Sequence, residues 1–191
     1  MKRFLLFTGI VALAAPFATA QNSTWAIDPA HSQIEFVVRH LTVSNIRGRF
    51  GNIQGNITMN DTDITKSSVQ ETIDVTSLDT GVAQRDSDVK GANFFDTANF
   101  PSATFASTSV AKKGMGLTVT GNLTLHGVTR PVELDVEGPS GPVPGMDKKP
   151  HSGYEATTTI NRKDFGVGPN APSAMVGDEI KLTIDLDVAK Q

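Results

Sequence analysis

Side chains able to do acid–base or metal chemistry are few and scattered in this chain. Its four histidines fall at His31, His40, His126 and His151, with no spacing that would bring two of them onto one metal ion. His126 sits on the polar phase of an alternating run, where solvent is the default environment. His40 is the histidine nearest the aromatic-rich loops, and it reads as a hydrogen-bonding residue rather than a base. Asp61 and Asp63 resemble the opening of a calcium loop, but the rest of that pattern does not follow. No Gly-x-Ser-x-Gly elbow and no Gly-rich phosphate loop occurs. The absence of cysteine removes thiol and disulfide chemistry. The acidic residues fall mostly on outward strand positions or in turns, and the Lys112-Lys113 and Lys148-Lys149 pairs read as solvated loop charges. Asn56-Ile57-Thr58 and Asn122-Leu123-Thr124 fit the glycosylation pattern, as do many unmodified strands. No nucleophile, base and oxyanion site converge, so recognition is the chemistry to look for.

One stretch is suited to recognition. Residues 80–107 form the single long insertion in a chain that otherwise reads as strand, turn, strand. They hold Phe94, Phe95, Phe100 and Phe105, four of the ten phenylalanines in the sequence. Large apolar rings seek burial, yet this segment is too polar and irregular for a core strand. It reads as a crossover whose rings plug or line something built by the strands around it, or close the bottom of an ordinary core. Asp86 is placed to cap a short helix over Ser87–Asn93, with Asp88 in its first turn. Pro101 marks the start of the next strand.

The elements around this stretch follow a period of two. Ile34, Phe36 and Val38 alternate with Gln33, Glu35 and Arg39; Ile53, Ile57 and Met59 with polar partners; Val69, Ile73 and Val75 continue. The clearest run sets Leu117, Val119, Gly121, Leu123 and Leu125 against Thr118, Thr120, Asn122 and Thr124. Val132, Leu134 and Val136 follow, then Tyr154, Ala156, Thr158 and Ile160, and the chain ends with Ile180, Leu182, Ile184, Leu186 and Val188. Strict alternation means one dry face and one wet face. About eight such strands joined by Gly, Asn, Asp and Pro turns predict an all-β domain, an antiparallel sandwich or closed barrel. Gly55, Gly121, Ala156 and Thr158 are small residues on the inward phase, where a barrel meant only to pack would carry Leu or Ile; they favour a cavity. Three further connections exceed hairpin length. Residues 39–51 admit a short helix near Thr42 or Ser44. Residues 138–152, rich in Gly and Pro, have the composition of a mobile loop that opens and closes a lumen. Residues 162–178 carry Asp164-Phe165-Gly166.

Residues 1–20 stand apart. Lys2 and Arg3 precede an apolar run too short to span a bilayer, and Ala18-Thr19-Ala20 has the small-x-small form of a cleavage site, so a secretory signal peptide is expected, cleaved near Ala20. Taking those two positive charges from the formal net charge of −3 leaves −5. A mildly acidic surface argues against nucleic-acid partners and against permanent residence on an anionic membrane. Residues 21–191 have the length of one domain with a sizeable core.

Several of these segments together resemble the YceI-like family. They are Arg85-Asp86 through Phe94-Phe95-Asp96, Asn99-Phe100-Pro101, Val119–Thr129, Asn161-Arg162-Lys163-Asp164-Phe165-Gly166, and Val176-Gly177-Asp178-Glu179-Ile180, in that order from about Trp25 to the C-terminus. The resemblance implies a single antiparallel eight-stranded lipocalin-like barrel with an apolar lumen and one or two short helices in its crossovers. It further implies an exported, periplasmic protein, with secretion as the alternative, that binds a polyisoprenoid or isoprenoid-quinone-type lipid and has no catalytic cofactor and no common catalytic residues. An amphiphilic isoprenoid lipid, transient membrane contact and a homodimer are the partners consistent with it. One departure is Asp88, where the family pattern has His after the Arg-Asp pair, and this bears on head-group choice. Alternation and the Phe-rich crossover nominate Phe36, Val38, Phe50, Ile57, Phe94, Phe95, Phe100, Phe105, Leu117, Val119, Leu123, Leu125, Tyr154, Ile160, Phe165, Leu182 and Ile184 as lumen-lining. The competing readings are a β-sandwich adhesion or assembly module with a dry core and, more distantly, an enzyme acting on isoprenoid lipids.

Overall fold

A computed structural model describes residues 21–191. The expected signal peptide, residues 1–20, lies outside the described residues. The strands are β1 (Asn22–Ile27), β2 (Gln33–His40), β3 (Ser44–Phe50), β4 (Ile53–Asn60), β5 (Ser68–Asp74), β6 (Ser102–Lys113), β7 (Gly116–Leu125), β8 (Val128–Pro144), β9 (Pro150–Asn161) and β10 (Val176–Lys190), with one α-helix, α1 (Ala83–Lys90), between β5 and β6. All pairings are antiparallel, and because β1 bonds β10 as well as β4 the sheet closes on itself.

The ten strands make eight staves. β1 and β2 lie end to end along β10, Trp25–Ile27 opposite Val188–Lys190 and Gln33–His40 opposite Val176–Asp185. β3 and β4 lie end to end against β2 and β1. Ten strands with two such joins give an eight-stranded closed barrel, near the size where the interior either fills with side chains or holds one slender ligand. Polar groups bridge the breaks, since a backbone group left unpaired inside the wall would be costly. At the first, Asp28 donates its N–H to the carbonyl of Asp187 (2.8 Å), and the Ser32 hydroxyl receives the Asp187 N–H (3.0 Å). At the second, the Ser77 hydroxyl accepts from the Gly51 N–H (3.0 Å) and donates to the Gly51 carbonyl (3.1 Å). Arg49 and Asp79 then exchange backbone bonds, so the ring stays closed at the β3 level too.

The alternation places the core inside. Trp25, Ile27, Ile34, Ile53, Ile73, Val119, Leu134, Val136, Ile184 and Val188 are buried and packed as one cluster. Four local expectations are corrected. The helix starts at Ala83 rather than Ser87, with Val82 at its N-cap and Asp86 in its first turn. Asp86 instead accepts the Thr80 N–H (2.9 Å) and hydroxyl, while Arg85 donates to the Thr80 hydroxyl and carbonyl (both 2.8 Å), pinning the start of the crossover. β6 begins at Ser102, so Phe105 is a strand residue. Residues 39–51 hold no helix; a tight turn with Leu41 and Thr42 at positive φ joins β2 to β3. Residues 138–152 are mostly strand. β8 and β9 stay paired out to Pro144 opposite Pro150, with register shifts after Glu137 and Ser140.

Candidate functional site

The barrel interior contains two chambers. The larger, about 330 Å³, lies at the end closed by the crossover. Its walls come from β2 (Ile34, Phe36, Val38), β3 (Ile46, Phe50), β7 (Leu123, Leu125), β9 (Ile160) and β10 (Ile180, Leu182), and Phe94 and Phe95 of the crossover cover it. Three rings form a chain across it. Phe36 and Phe50 have centroids 5.5 Å apart, and Phe95 meets Phe50 edge-on at 5.7 Å, an arrangement favoured by the ring quadrupoles. Glycines admit these rings. A Cβ on Gly48 would stand 2.3 Å from the Phe36 ring, and one on Gly168 would stand 2.7 Å from Phe94.

Polar groups border this chamber at its rim: Arg39, His40, Thr80, Arg85, Asp88 and Arg162. Arg162 is 4 % exposed and fully engaged. Its guanidinium donates to the carbonyls of Gly177 (3.1 Å), Val167 (3.0 Å), Gly168, Ala171 (2.9 Å) and Val176 (3.0 Å), and to the Asp178 carboxylate (2.9 Å). Residues 162–178 thus wrap one planar donor, a role that needs the rigid fork of arginine. Asn161 caps the 3₁₀ turn at its start, and Gly166 ends that turn at φ 71°. Asp88 accepts from Gln84 (3.1 Å) on the same helix.

The smaller chamber, about 70 Å³, lies on the side away from the crossover, beside the β4–β5 turn. Ile57, Phe105, Leu117, Val119, Tyr154 and Ile184 line it, together with Leu134, Val136 and Ala156. β5 and β6 pass from one chamber to the other: Ile73 and Ala103 line the larger, while the adjacent inward residues Glu71 and Phe105 line the smaller. The Phe105 ring lies at this level against Gly121, where a Cβ would stand 2.3 Å from it. The space expected from Gly121 is therefore filled by Phe105. A Cβ on Gly55 would meet the Gln70 carbonyl at 2.1 Å, so that glycine serves a close approach of two strands.

Fifteen of the seventeen nominated residues border one chamber or the other. Phe100 and Phe165 do not. Phe100 lies over Gly127 with its ring centroid 4.4 Å from that of His126, sealing the β7–β8 turn, which also takes His126 out of the polar wall. Phe165 is buried in the turn that Arg162 organises. Sequence reasoning missed Glu71. It is 7 % exposed, borders the smaller chamber, and burial pushes its carboxyl up to about 7. Its signal was its phase, since Val69, Glu71 and Ile73 share the inward face.

Outside the barrel the fold gathers residues that looked scattered. The His31 imidazole meets Asp28 at 2.8 Å; His151 meets Asp187 at 2.6 Å and Asp147 at 3.1 Å. Hydrogen bonds to these carboxylates raise both imidazoles above the ordinary histidine value. Asp28, His31 and Asp187 bring ligand atoms within 4.8 Å of one another. The His31–Asp28 and His151–Asp187 pairs, with the Asp28 N–H bonded to the Asp187 carbonyl, make the cluster a clasp joining the β1–β2 corner to β9 and β10.

Comparison with known proteins places this barrel. Residues 25–188 match the YceI-like domain. A UPF0312 protein of Vibrio parahaemolyticus is 37 % identical over 188 residues, covering 95 % of this chain and 97 % of its own. Protein YceI of Salmonella newport is 35 % identical with both chains covered fully. Among solved structures, Burkholderia cenocepacia BcnA superposes with a TM-score of 0.75 at 27 % identity, covering 84 % of this chain and 98 % of its own. A polyisoprenoid binding domain from Saccharophagus degradans has the same fold, with a TM-score of 0.64 at 19 % identity, covering 87 % and 98 %. The chain belongs to the YceI-like family.

Proposed function

We propose that the protein is an exported lipid carrier or reservoir that holds a polyisoprenoid or isoprenoid-quinone-type lipid in its barrel. The observation that carries this reading is the larger chamber, an almost wholly apolar space within a closed barrel, rimmed by a few cationic and hydrogen-bonding groups. Its volume of about 330 Å³ lies within the range of small-molecule sites. That space disfavours the dry-core adhesion module. The polyisoprenoid-binding fold relative and the binding character of the family give the same direction.

Magnitudes define what such a carrier must do. Burying some forty isoprenoid carbons at ~0.8 kcal/mol each would release more than ~30 kcal/mol against water, beyond the ~20 kcal/mol at which noncovalent affinity saturates. The competitor is therefore a membrane, and transfer of a tail from bilayer to barrel is close to neutral. Head-group bonds, chain fit and ordering of the closing segment decide retention. A tail cannot thread between paired strands without unpairing backbone groups. It must pass an end of the barrel, and the crossover end is where the larger chamber lies. Organic extraction of the purified protein, followed by mass spectrometry, should release one apolar isoprenoid lipid per chain. A ligand-free barrel that takes up no isoprenoid from vesicles would overturn the proposal. Mass measurement on exported protein should give an N-terminus at Gln21; an intact leader would remove export from it.

A further inference from the structure

The smaller chamber contains a group that an all-hydrocarbon ligand would leave unsatisfied. Glu71 is more than nine-tenths buried, stands on the inward phase of β5 between Val69 and Ile73, and lines that chamber. No hydrogen bond reaches the carboxyl from any described residue, and desolvation is the sole cause acting on its acidity. A buried polar group without a partner costs far more than one that is paired. Glu71 is not an accident of a loose edge. It pairs in register with Gly55 on one side and Phe105 on the other, in the middle of β5. The bare Gly55 backbone approaches the Glu71 Cα so closely that a Cβ there would stand 2.7 Å from it.

We propose that the smaller chamber is a subsite for a neutral acceptor oxygen, a carbonyl or ether, on the lumen's ligand, with the Glu71 carboxyl as the hydrogen-bond donor that receives it. This rests on the lipid-carrier reading and adds which chemical function the lipid carries to the smaller chamber. The surroundings of Glu71 make the choice of a neutral oxygen. β4, β6, β7, β8 and β10 present only apolar residues to the chamber, and Ser67 before β5 and Ser68 at its start add the remaining small polar residues. β9 supplies the other titratable group, Tyr154, whose phenol burial pushes up to about 12. No cation faces the chamber, so a phosphate there would meet a carboxyl and no counter-charge. The cations Arg39, Arg85 and Arg162 all border the other chamber. The neutral carboxyl can donate to an acceptor oxygen and the carboxylate cannot, so the subsite works below about pH 7 and fails above it.

The test uses farnesylacetone, an isoprenoid ketone, and the hydrocarbon with CH₂ in place of its carbonyl. Each competes with a fluorescent apolar probe in delipidated protein at pH 5.5 and pH 8.5. The parent should prefer the ketone by about tenfold at pH 5.5 and lose that preference at pH 8.5, tenfold being one good hydrogen bond. Glu71→Gln, which keeps a donor of similar shape, should prefer the ketone at both values. Glu71→Leu should prefer it at neither, while binding the hydrocarbon at least as well as the parent. Equal affinities of the parent for the two compounds at pH 5.5, or a ketone preference that survives in Glu71→Leu, would overturn the subsite and leave the carrier reading standing. Failure of both compounds to displace the probe from the parent would overturn the carrier reading, and the subsite with it.

Discussion

The two chambers share one barrel and differ in almost everything that decides what they accept. The larger is walled by a chain of aromatic rings and rimmed by Arg39, His40, Arg85 and Asp88. The smaller is walled mainly by aliphatic residues with Phe105 and Tyr154, and its one carboxyl is held neutral toward pH 7 by burial. The lumen is polarised along its length. One end gathers the cationic side chains Arg39, Arg85 and Arg162, while the other has no cation among its lining residues and holds Glu71, whose carboxyl burial pushes toward the neutral form.

The largest expected effect comes from forcing a charge into the tight chamber. Val119 is buried on its wall, so Val119→Asp should cost about 3–4 kcal/mol in denaturant midpoint or prevent folding. Thr118→Lys, next along β7 on the outer face and in register with Asp135, should change stability by less than about 0.5 kcal/mol. Equal midpoints would mean that the two faces of β7 have been exchanged.

Next in size is the pH dependence of Glu71. Its carboxyl is raised from 4.5 to about 7, so the unfolded chain releases the proton first. The folded state then loses stability as pH rises from about 4.5 through about 7, by roughly 3 kcal/mol at ~1.4 kcal/mol per unit. Glu71→Gln lacks this loss. Its stability relative to the parent should rise between pH 4 and pH 8, and parallel melting profiles across that range would place Glu71 in water.

Phe95→Ala acts on the other chamber. The ring is half-buried and meets Phe50, so the cost should fall below the ~3–5 kcal/mol of a fully buried ring. Exchange of a fluorescent isoprenoid between vesicles should accelerate while the barrel stays folded. Retention equal to the parent's would remove Phe95 from the seal. The smallest effect belongs to the outside of the wall. Lys113 and Asp135 pair at 2.9 Å with both side chains more than half exposed, so Lys113→Ala should cost under ~1 kcal/mol and less in high salt.

The barrel was legible because period-two patterning is a local signal, and β7 and β10 display it over long runs. What was missed depended on partners distant in sequence. β3 has Gly48 where an inward apolar residue would stand, and that gap makes sense only once the Phe36 ring fills it. Residues 138–152 read as a loop because Gly and Pro are poor strand formers, yet β9 pairs with them across two bulges. The buried carboxyl was legible in its phase and was passed over because a glutamate is usually solvated. The His31, His151 and Asp187 cluster joins residues more than a hundred positions apart, so no spacing rule could find it.

Closure of the sheet has a consequence in time. Trp25–Ile27 pair with Val188–Lys190, so the ring is sealed between the opening and closing stretches of the described chain. Contacts of such separation form late, because the loop-closure entropy between them must be overcome before they give any return. A chain delivered N-terminus first, from a ribosome or through a pore, holds β1 and half-formed hairpins with open edges until β10 is released. In that interval its apolar inner face is accessible, and a lipid met then could be enclosed by the barrel as it forms.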